Sequence, residues 1–513
     1  MPVDPRTPVI VGVGQFTERI DDPGYRGMSA VDLATEAARA ALADTGASVS
    51  DVARAVDVVV GLRQFEISGP MPAVLGKSNN YPRSVMRRLG ADPARVVLEP
   101  VGGHGSQKVV TEFASAIAAG EIDVAMVIGS EPGSTARYFA GRDDKPDFTE
   151  HIDGQLEDRG HQIHRYIDEY TVTHGLTGAS VQYGLLDNAR RARLGLGVAD
   201  YRHQMAELFA PMSKVAAKNP FSSSPVERSV AEIETVTPEN RMVCDPYPRL
   251  LVARDTVNQG AATVLMSVGA ARRLGVPEER WVYLHGHADL VEQALLSRAD
   301  LGASPAAVLA AQEGLRVAGI GVDDISTFDL YSCFPFPVFV ICDALGIAGD
   351  DPRGLTLTGG LPYFGGPGNS YSLHGIAETV AEMRDKPGQF GFIGANGGIM
   401  SKYSVGIYST SPVEWRTSRS DELNTQITEL PEVPVTKVVD GLGVVETYSV
   451  RYDWPVRTGI IVGRLESDGS RFMATTEDQA LVALMSDGDP LGARIAVRST
   501  GNGNRAVLSA ATA

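Results

Sequence analysis

Cysteine is scarce in this chain: Cys244, Cys333 and Cys342 are the only three in 513 residues. Three thiols cannot build a disulfide framework, and none stands in CxxC spacing, so no zinc ribbon is written here. Long apolar runs are missing too. No stretch approaches the roughly 18 residues that a membrane-spanning helix needs. The N-terminus MPVDPRTPVIVGVG has no basic segment followed by an apolar one, so a cytoplasmic protein without membrane insertion is expected. Positive charge is in short supply, with 46 Lys and Arg against 63 Asp and Glu and a net charge of −17. That disfavours nucleic acid and anionic membranes as whole-surface partners, because both need clustered cations. A local basic groove for a phosphorylated ligand is not excluded.

What is present reads as ordinary globular protein. Hydrophobic residues make up 43% and mean hydropathy is −0.05, enough for about three domains at roughly 150 residues each. PVIVGVGQF is a short β-branched run, hence a buried strand. SAVDLATEAARAALADTGAS repeats apolar residues at helical spacing, with Ser29 placed as N-cap and Gly46 as C-cap. AVDVVVGL and VAMVIGSE are further strands, separated by a helix that opens in VGGHGS. Strand–helix alternation of this kind marks a covered, mostly parallel sheet. Residues 132–242 break the pattern with polar helical segments, an inserted cap or loop region. Alternation resumes over 275–411, where SPAAVLAAQEGLRVAGIGVDDI and its strand echo SAVDLATEAARAALADTGASVSDV and AVDVVVG. The fold class is therefore α/β with two similar halves, 1–131 plus 243–274 and then 275–411.

From about Pro412 the character changes again. A polar linker leads into GVVETYSVRYDW, TGIIVGRLESDGSRFMATT and RIAVRST, which alternate as half-buried strands joined by SDG and GDP turns. An all-β unit over 412–513 is expected, the simplest form being a barrel of oligonucleotide-binding type. Aromatics and cations are too few in it for a nucleic-acid stacking platform.

Several polar residues invite a reading. His104 is either a turn histidine or part of a ligand pocket opened by its flanking glycines. Ser106 falls in a helix first turn, with no histidine–carboxylate pair to make it a nucleophile. His285 and His287 share a strand face without a third metal ligand, and His161 and His164 sit at helical i, i+3 spacing on what reads as a solvated face. VGVGQF lacks the full GxGxxG of a dinucleotide site. Cys333 and Cys342, flanked by apolar residues, read as buried thiols, and Cys244 as inert. No metal site is expected.

The ordered set PVIVGVGQF, GGHGS, KNPFSSSP, NQGAATVLM, DLYSCFPFPVFVICDALGI, TGGLPYFGGPG and GANGGIMSKYSVGIYS resembles the thiolase superfamily, nearest the sterol-carrier-protein-2 type, over about 1–410. The tail is similar to the additional C-terminal domain of thiolase-like proteins type 1. The resemblance implies a duplicated, layered α/β/α/β/α fold and an acyl-CoA ligand in lipid metabolism, under a name such as acetyl-CoA acetyltransferase. It also implies a nucleophilic cysteine where this chain has Gly102. The family's histidine or asparagine motif falls on Tyr331–Phe334, its Gly-His-Pro on Gly365-Gly366-Pro367, and its Cys-x-Gly or His-Asn-x-Gly on Ala395-Asn396-Gly397. Every placed catalytic position departs from the pattern, so classical thiolase turnover is not expected.

Three functions remain open on this reading. The first is non-covalent binding of a coenzyme A thioester by the retained turns: Gly102, Gly103, His104, Gly105, Ser106, Gly365, Gly366, Asn396 and Gly397. The second is a retro-aldol lyase acting on a β-hydroxyacyl-CoA, with Tyr331 or Tyr363 as base and His374 in the family's active-site helix. The third is an acyltransferase with a displaced nucleophile such as Cys333. No permanently bound cofactor is expected. The resemblance implies a homodimer unless the extra domain covers the dimer edge, in which case a monomer.

Overall fold

The computed structural model describes residues 3–68, 73–162, 167–453 and 456–509. Ten strands form one sheet in the order Ile325–Leu330, Phe390–Gly397, Lys402–Ser409, Val282–Val291, Pro8–Glu18, Asn258–Ser267, Val124–Pro132, Val58–Leu62, Arg95–Glu99, Glu157–Asp158. The order exposes the duplication. Starting from Pro8–Glu18, the first half runs through its fifth, fourth, second and third strands. Starting from Val282–Val291, the second half repeats that path with equivalent parallel and antiparallel pairings, but has no counterpart of Arg95–Glu99. In the sheet, among the described residues, the halves pair at Val9–Tyr283 and Ile10–Val282.

Helices Gly105–Ala119 and Tyr371–Asp385 pack on each other and on strands of both halves, forming the central layer. Ala30–Asp44 and Pro305–Ala318 cover the outer faces. The glycines of VGVG allow this layering. A Cβ on Gly12 or Gly14 would stand 2.2 Å from the Ala41 or Ala37 carbonyl oxygen, so the alanine-rich helix lies directly on the strand backbone. Gly286 repeats the device against Gly314.

The C-terminal unit is a closed five-stranded barrel. Gly441–Asp453 pairs with both Val456–Leu465 and Arg494–Thr500, and Arg471–Thr476 runs parallel to Gly503–Leu508. Helix Gln479–Asp487 separates its third and fourth strands. This is the strand path of an oligonucleotide-binding fold. The barrel packs on inserted helix Ala179–Leu194, where Thr447 Oγ1 donates to the Leu185 carbonyl at 2.6 Å and Asn188 Nδ2 to that of Tyr448 at 2.9 Å. Buried Arg471 donates to the carbonyls of Leu296 and Arg298, both at 2.6 Å. The linker is not loose. His285 and His287 donate from Nε2 to the carbonyls of Ser411 and Arg416, at 2.7 and 2.9 Å, and Trp415 stacks on His287. This is what the HGH pair does.

The sheet edge Arg95–Glu99 is also covered, but by the insert and not by the extra domain. Glu157–Asp158 pairs with it at Val97 and Leu98. Arg159 then bridges Glu99, Glu112 and Glu157 at 2.8, 2.6 and 3.0 Å, and Arg63 pairs with Asp158. An open edge would be a template for another chain. Among the described residues no helix is long and apolar enough to cross a membrane.

Candidate functional site

The turn Gly102–His104 precedes the central helix Gly105–Ala119. Gly102 has φ of +145°, a backbone that favours glycine. Its N–H donates to Asn369 Oδ1 at 2.9 Å, and Asn369 Nδ2 donates onward to the Arg63 carbonyl at 2.6 Å. Ser372 Oγ donates to the Gly103 carbonyl at 2.9 Å. The start of one central helix is thus tied to the start of the other. Ser106 lies in the first helical turn, its hydroxyl 3.4 Å from the Asn369 carbonyl, without a catalytic partner.

Around this turn opens a cavity of about 450 Å³. Gly102, Gly103, Tyr331, Cys333, Gly366, Asn396 and Gly397 all line it, so four separate sequence motifs converge. Gly103 is required by Tyr331: a Cβ there would stand 2.2 Å from the phenol oxygen. His104 lies behind the glycine wall. A Cβ on Gly102 would come within 2.6 Å of its ring, and one on Gly397 within 2.4 Å of Nδ1. The imidazole fills the space that side chains at both positions would need. Its Nδ1 has no hydrogen-bond partner, and burial followed by Lys402 and Lys108 holds the ring well below its usual pKa.

The structure does not bring every sequence candidate into this cavity. Tyr363 lines a neighbouring groove, and its buried hydroxyl is unpartnered. His374 sits in the central layer, where Nδ1 donates to Gln15 Oε1 at 2.7 Å and burial pushes the ring down to about 3. Gly365, at φ +124°, lies against Gln259 and Ser223, and Gly105 begins the helix. His161 Nε2 is 2.9 Å from the Ile67 carbonyl, and His164 lies outside the described residues.

Sequence reasoning missed Tyr183, Gln182 and Asn369, all of which line the cavity. Tyr183 comes from the insert. Its hydroxyl accepts from Asn396 Nδ2 at 2.6 Å, and its ring stacks on Phe334 with centroids 4.7 Å apart. One signal was available: Gly184, the next residue, sits mid-helix, where glycine is unfavourable unless another chain segment comes close. It does, since a Cβ on Gly184 would stand 2.4 Å from the Asp245 carbonyl oxygen and 3.0 Å from Ser449 Oγ. Asn369 sits in GGPGNS with no pattern to distinguish it.

Electrostatics decides what these groups can do. Burial raises the phenols of Tyr331 and Tyr183 well above their ordinary value, with Cys333 adding to both shifts. Burial pushes the Cys333 thiol up to about 12 despite the nearby Tyr183 hydroxyl and Asn396. At neutral pH the cavity interior therefore offers hydrogen-bond donors, not a thiolate, phenolate or imidazolium.

Comparison with known proteins fits this picture. The family described as the thiolase-like protein type 1 additional C-terminal domain matches residues 422–502. No curated protein matches the chain. A monomeric SCP2-thiolase like protein type 1 from Mycobacterium smegmatis is 60% identical, with TM-score 0.86, over 99% of this chain and 100% of that one. The Ltp2–ChsH2(DUF35) aldolase matches 79% of this chain and 98% of its own at 20% identity and TM-score 0.56. The dimeric peroxisomal thiolase of Saccharomyces cerevisiae matches 80% of this chain and 98% of its own at 14% and 0.56. The last two share the fold. Fold, motif order and the near full-length match together place this chain in the SCP2-thiolase-like proteins of type 1, with their additional C-terminal domain.

Proposed function

We propose that this protein binds a coenzyme A thioester in the cavity without forming an acyl-enzyme. The observation that carries this reading is the chemistry of the lining. The position of the family's nucleophile is Gly102, and the nearest thiol, Cys333, is held protonated by burial. A covalent step needs an activated nucleophile with a base beside it; Asp255 in the lining is a carboxylate, but no activated nucleophile stands beside it. What remains suits binding. The glycine turn sits at the positive end of helix Gly105–Ala119, which favours a partly negative carbonyl oxygen. The neutral hydroxyls of Tyr331 and Tyr183 and the amide of Asn396 stand nearby, and Phe65, Val252, Leu361 and Ile399 offer apolar wall to an acyl group.

A lyase is the second reading, favoured by the convergence of Tyr331, Tyr183 and Asn396 and by the shared fold with an aldolase. Those phenols would serve as acids toward an enolate. The step also needs a base on the β-hydroxyl, and raised phenols are poor ones at neutral pH.

Calorimetric titration with acetyl-CoA, a longer acyl-CoA and a β-hydroxyacyl-CoA, followed by mass analysis of protein and ligand, tests both readings. Saturable binding with unchanged ligand and no protein adduct is the expected result. Free coenzyme A or an acyl adduct on the protein would overturn it. An aldehyde or ketone released from a β-hydroxyacyl-CoA would establish the lyase.

A further inference from the structure

Beside the cavity lies a second, larger groove of about 710 Å³, and the two share a wall formed by Val252, Ala253 and Asp255. The groove carries Arg137, Arg228, Arg249 and Arg254 against the carboxylates Glu232, Glu239 and Asp255. That balance is unusual in a chain of net charge −17.

Arg228 is neutralised by Glu232 at 3.1 Å. Among the described residues, Arg137, Arg249 and Arg254 form no ion pair. They come from three separate places: helix Gly133–Tyr138, the turn Arg249–Leu251 and the segment leading into strand Asn258–Ser267. The tertiary fold gathers them. They also feel one another. Half-buried Arg254 is held below its ordinary value by burial and then by Arg249 and Arg137, against a weaker opposing effect of Asp21. Three guanidiniums without carboxylate partners beside one groove repel one another, and an anion with several oxygens relieves that repulsion through charge-assisted bonds.

We propose that this groove takes the phosphorylated, nucleotide-bearing end of the ligand, with its phosphates against Arg137, Arg249 and Arg254. The thioester end then passes the Val252–Asp255 wall into the cavity. This inference rests on the function proposed above for the cavity. It adds that affinity resides mainly in the phosphates, and the glycine turn selects the thioester.

The test separates the two claims. The intact protein is titrated with acetyl-CoA, with S-acetylpantetheine, which lacks every phosphate, and with adenosine 3′,5′-bisphosphate. Wild type is expected to bind acetyl-CoA at least tenfold more tightly than S-acetylpantetheine, and to bind the bisphosphate in competition with acetyl-CoA. Arg137→Gln combined with Arg249→Gln is expected to weaken acetyl-CoA about a hundredfold, roughly tenfold for each charge-assisted contact. It should leave S-acetylpantetheine unchanged and flatten the salt dependence. Arg249→Lys, which keeps the charge, should retain more affinity than Arg249→Gln and guards against a folding artefact. Equal binding of acetyl-CoA and S-acetylpantetheine by wild type would overturn the groove proposal and leave the cavity reading standing. Binding of the bisphosphate without either thioester would support the groove and remove the cavity reading. Unchanged acetyl-CoA affinity in the well-folded double variant would overturn the groove proposal outright.

Discussion

Gly102→Cys, which places a thiol where the family resemblance puts the nucleophile, is the most direct challenge to the proposed function, and the geometry predicts failure for two separate reasons. Gly102 holds φ at +145°, a conformation that costs an L-residue about 1–3 kcal/mol. The new Cβ would also meet the His104 ring at 2.6 Å. That ring is 6% exposed and has Gly397 on its other side, so it has little room to retreat. Overpacking of this kind costs about 1–3 kcal/mol. Together the substitution should destabilise the protein by about 2–6 kcal/mol, at the upper end for a single change. Function should not return. The adjacent imidazole is held neutral by burial, so no imidazolium stands ready to stabilise a thiolate. The assays are thermal unfolding, pH-dependent alkylation of the introduced thiol, and mass analysis after incubation with acetyl-CoA. A markedly lower melting temperature, a thiol that reacts only at high pH and no acetyl adduct are expected. Adding His104→Ala removes the ring contact but not the backbone strain, so the double variant should recover about 1–3 kcal/mol. A Gly102→Cys protein with wild-type stability and a stable acetyl adduct would refute the reasoning.

Gly184→Ala should push the inserted helix away from Asp245 and from the barrel residue Ser449, because its Cβ would stand 2.4 Å from the Asp245 carbonyl oxygen and 3.0 Å from Ser449 Oγ. A loss of about 1–3 kcal/mol and weaker thioester binding through displaced Tyr183 are expected from unfolding and titration. Asp245 gives a pH signature. Burial raises its carboxyl from 3.8 to about 7 even though Tyr452 donates to it at 2.8 Å. Between those values the unfolded chain loses the proton and the folded one keeps it, so stability should fall as pH rises from about 4 to about 7. Asp245→Asn should flatten that slope in unfolding measured at several pH values; an unchanged slope would place its origin elsewhere. Arg159→Ala removes the group that bridges Glu99, Glu112 and Glu157. It leaves Glu99 buried with Lys108 as its remaining ion partner, so the charge stays compensated and the cost is that of the lost charged hydrogen bonds, about 1.5–3 kcal/mol. Faster hydrogen exchange in Arg95–Glu99 and greater self-association by sedimentation than in wild type are expected, and an unaltered sedimentation profile would show that this network does not guard the edge.

Local pattern determined a good deal on its own. Apolar periodicity and its repetition defined two α/β halves and a terminal β unit, because burial of one face leaves a period along the chain. The departures at Gly102, Gly365–Pro367 and Ala395–Gly397 are what the family resemblance implies once those motifs are set on this sequence, since a glycine has no side chain to acylate. Tertiary structure alone decided which groups meet. Tyr183 reaches the cavity on a helix that packs closely, at Gly184, against the Asp245 carbonyl and the barrel residue Ser449. His104 fills the space left by two glycines that lie far apart in the chain. Tyr363 and His374, which the family resemblance puts in its active-site loop and helix, are directed elsewhere by the packing of those segments. The sheet edge is closed by two residues of the insert, too few to leave a strand pattern in the sequence. Side-chain direction and neutrality follow from contacts between distant segments and from the water those contacts exclude, and neither is written in local periodicity.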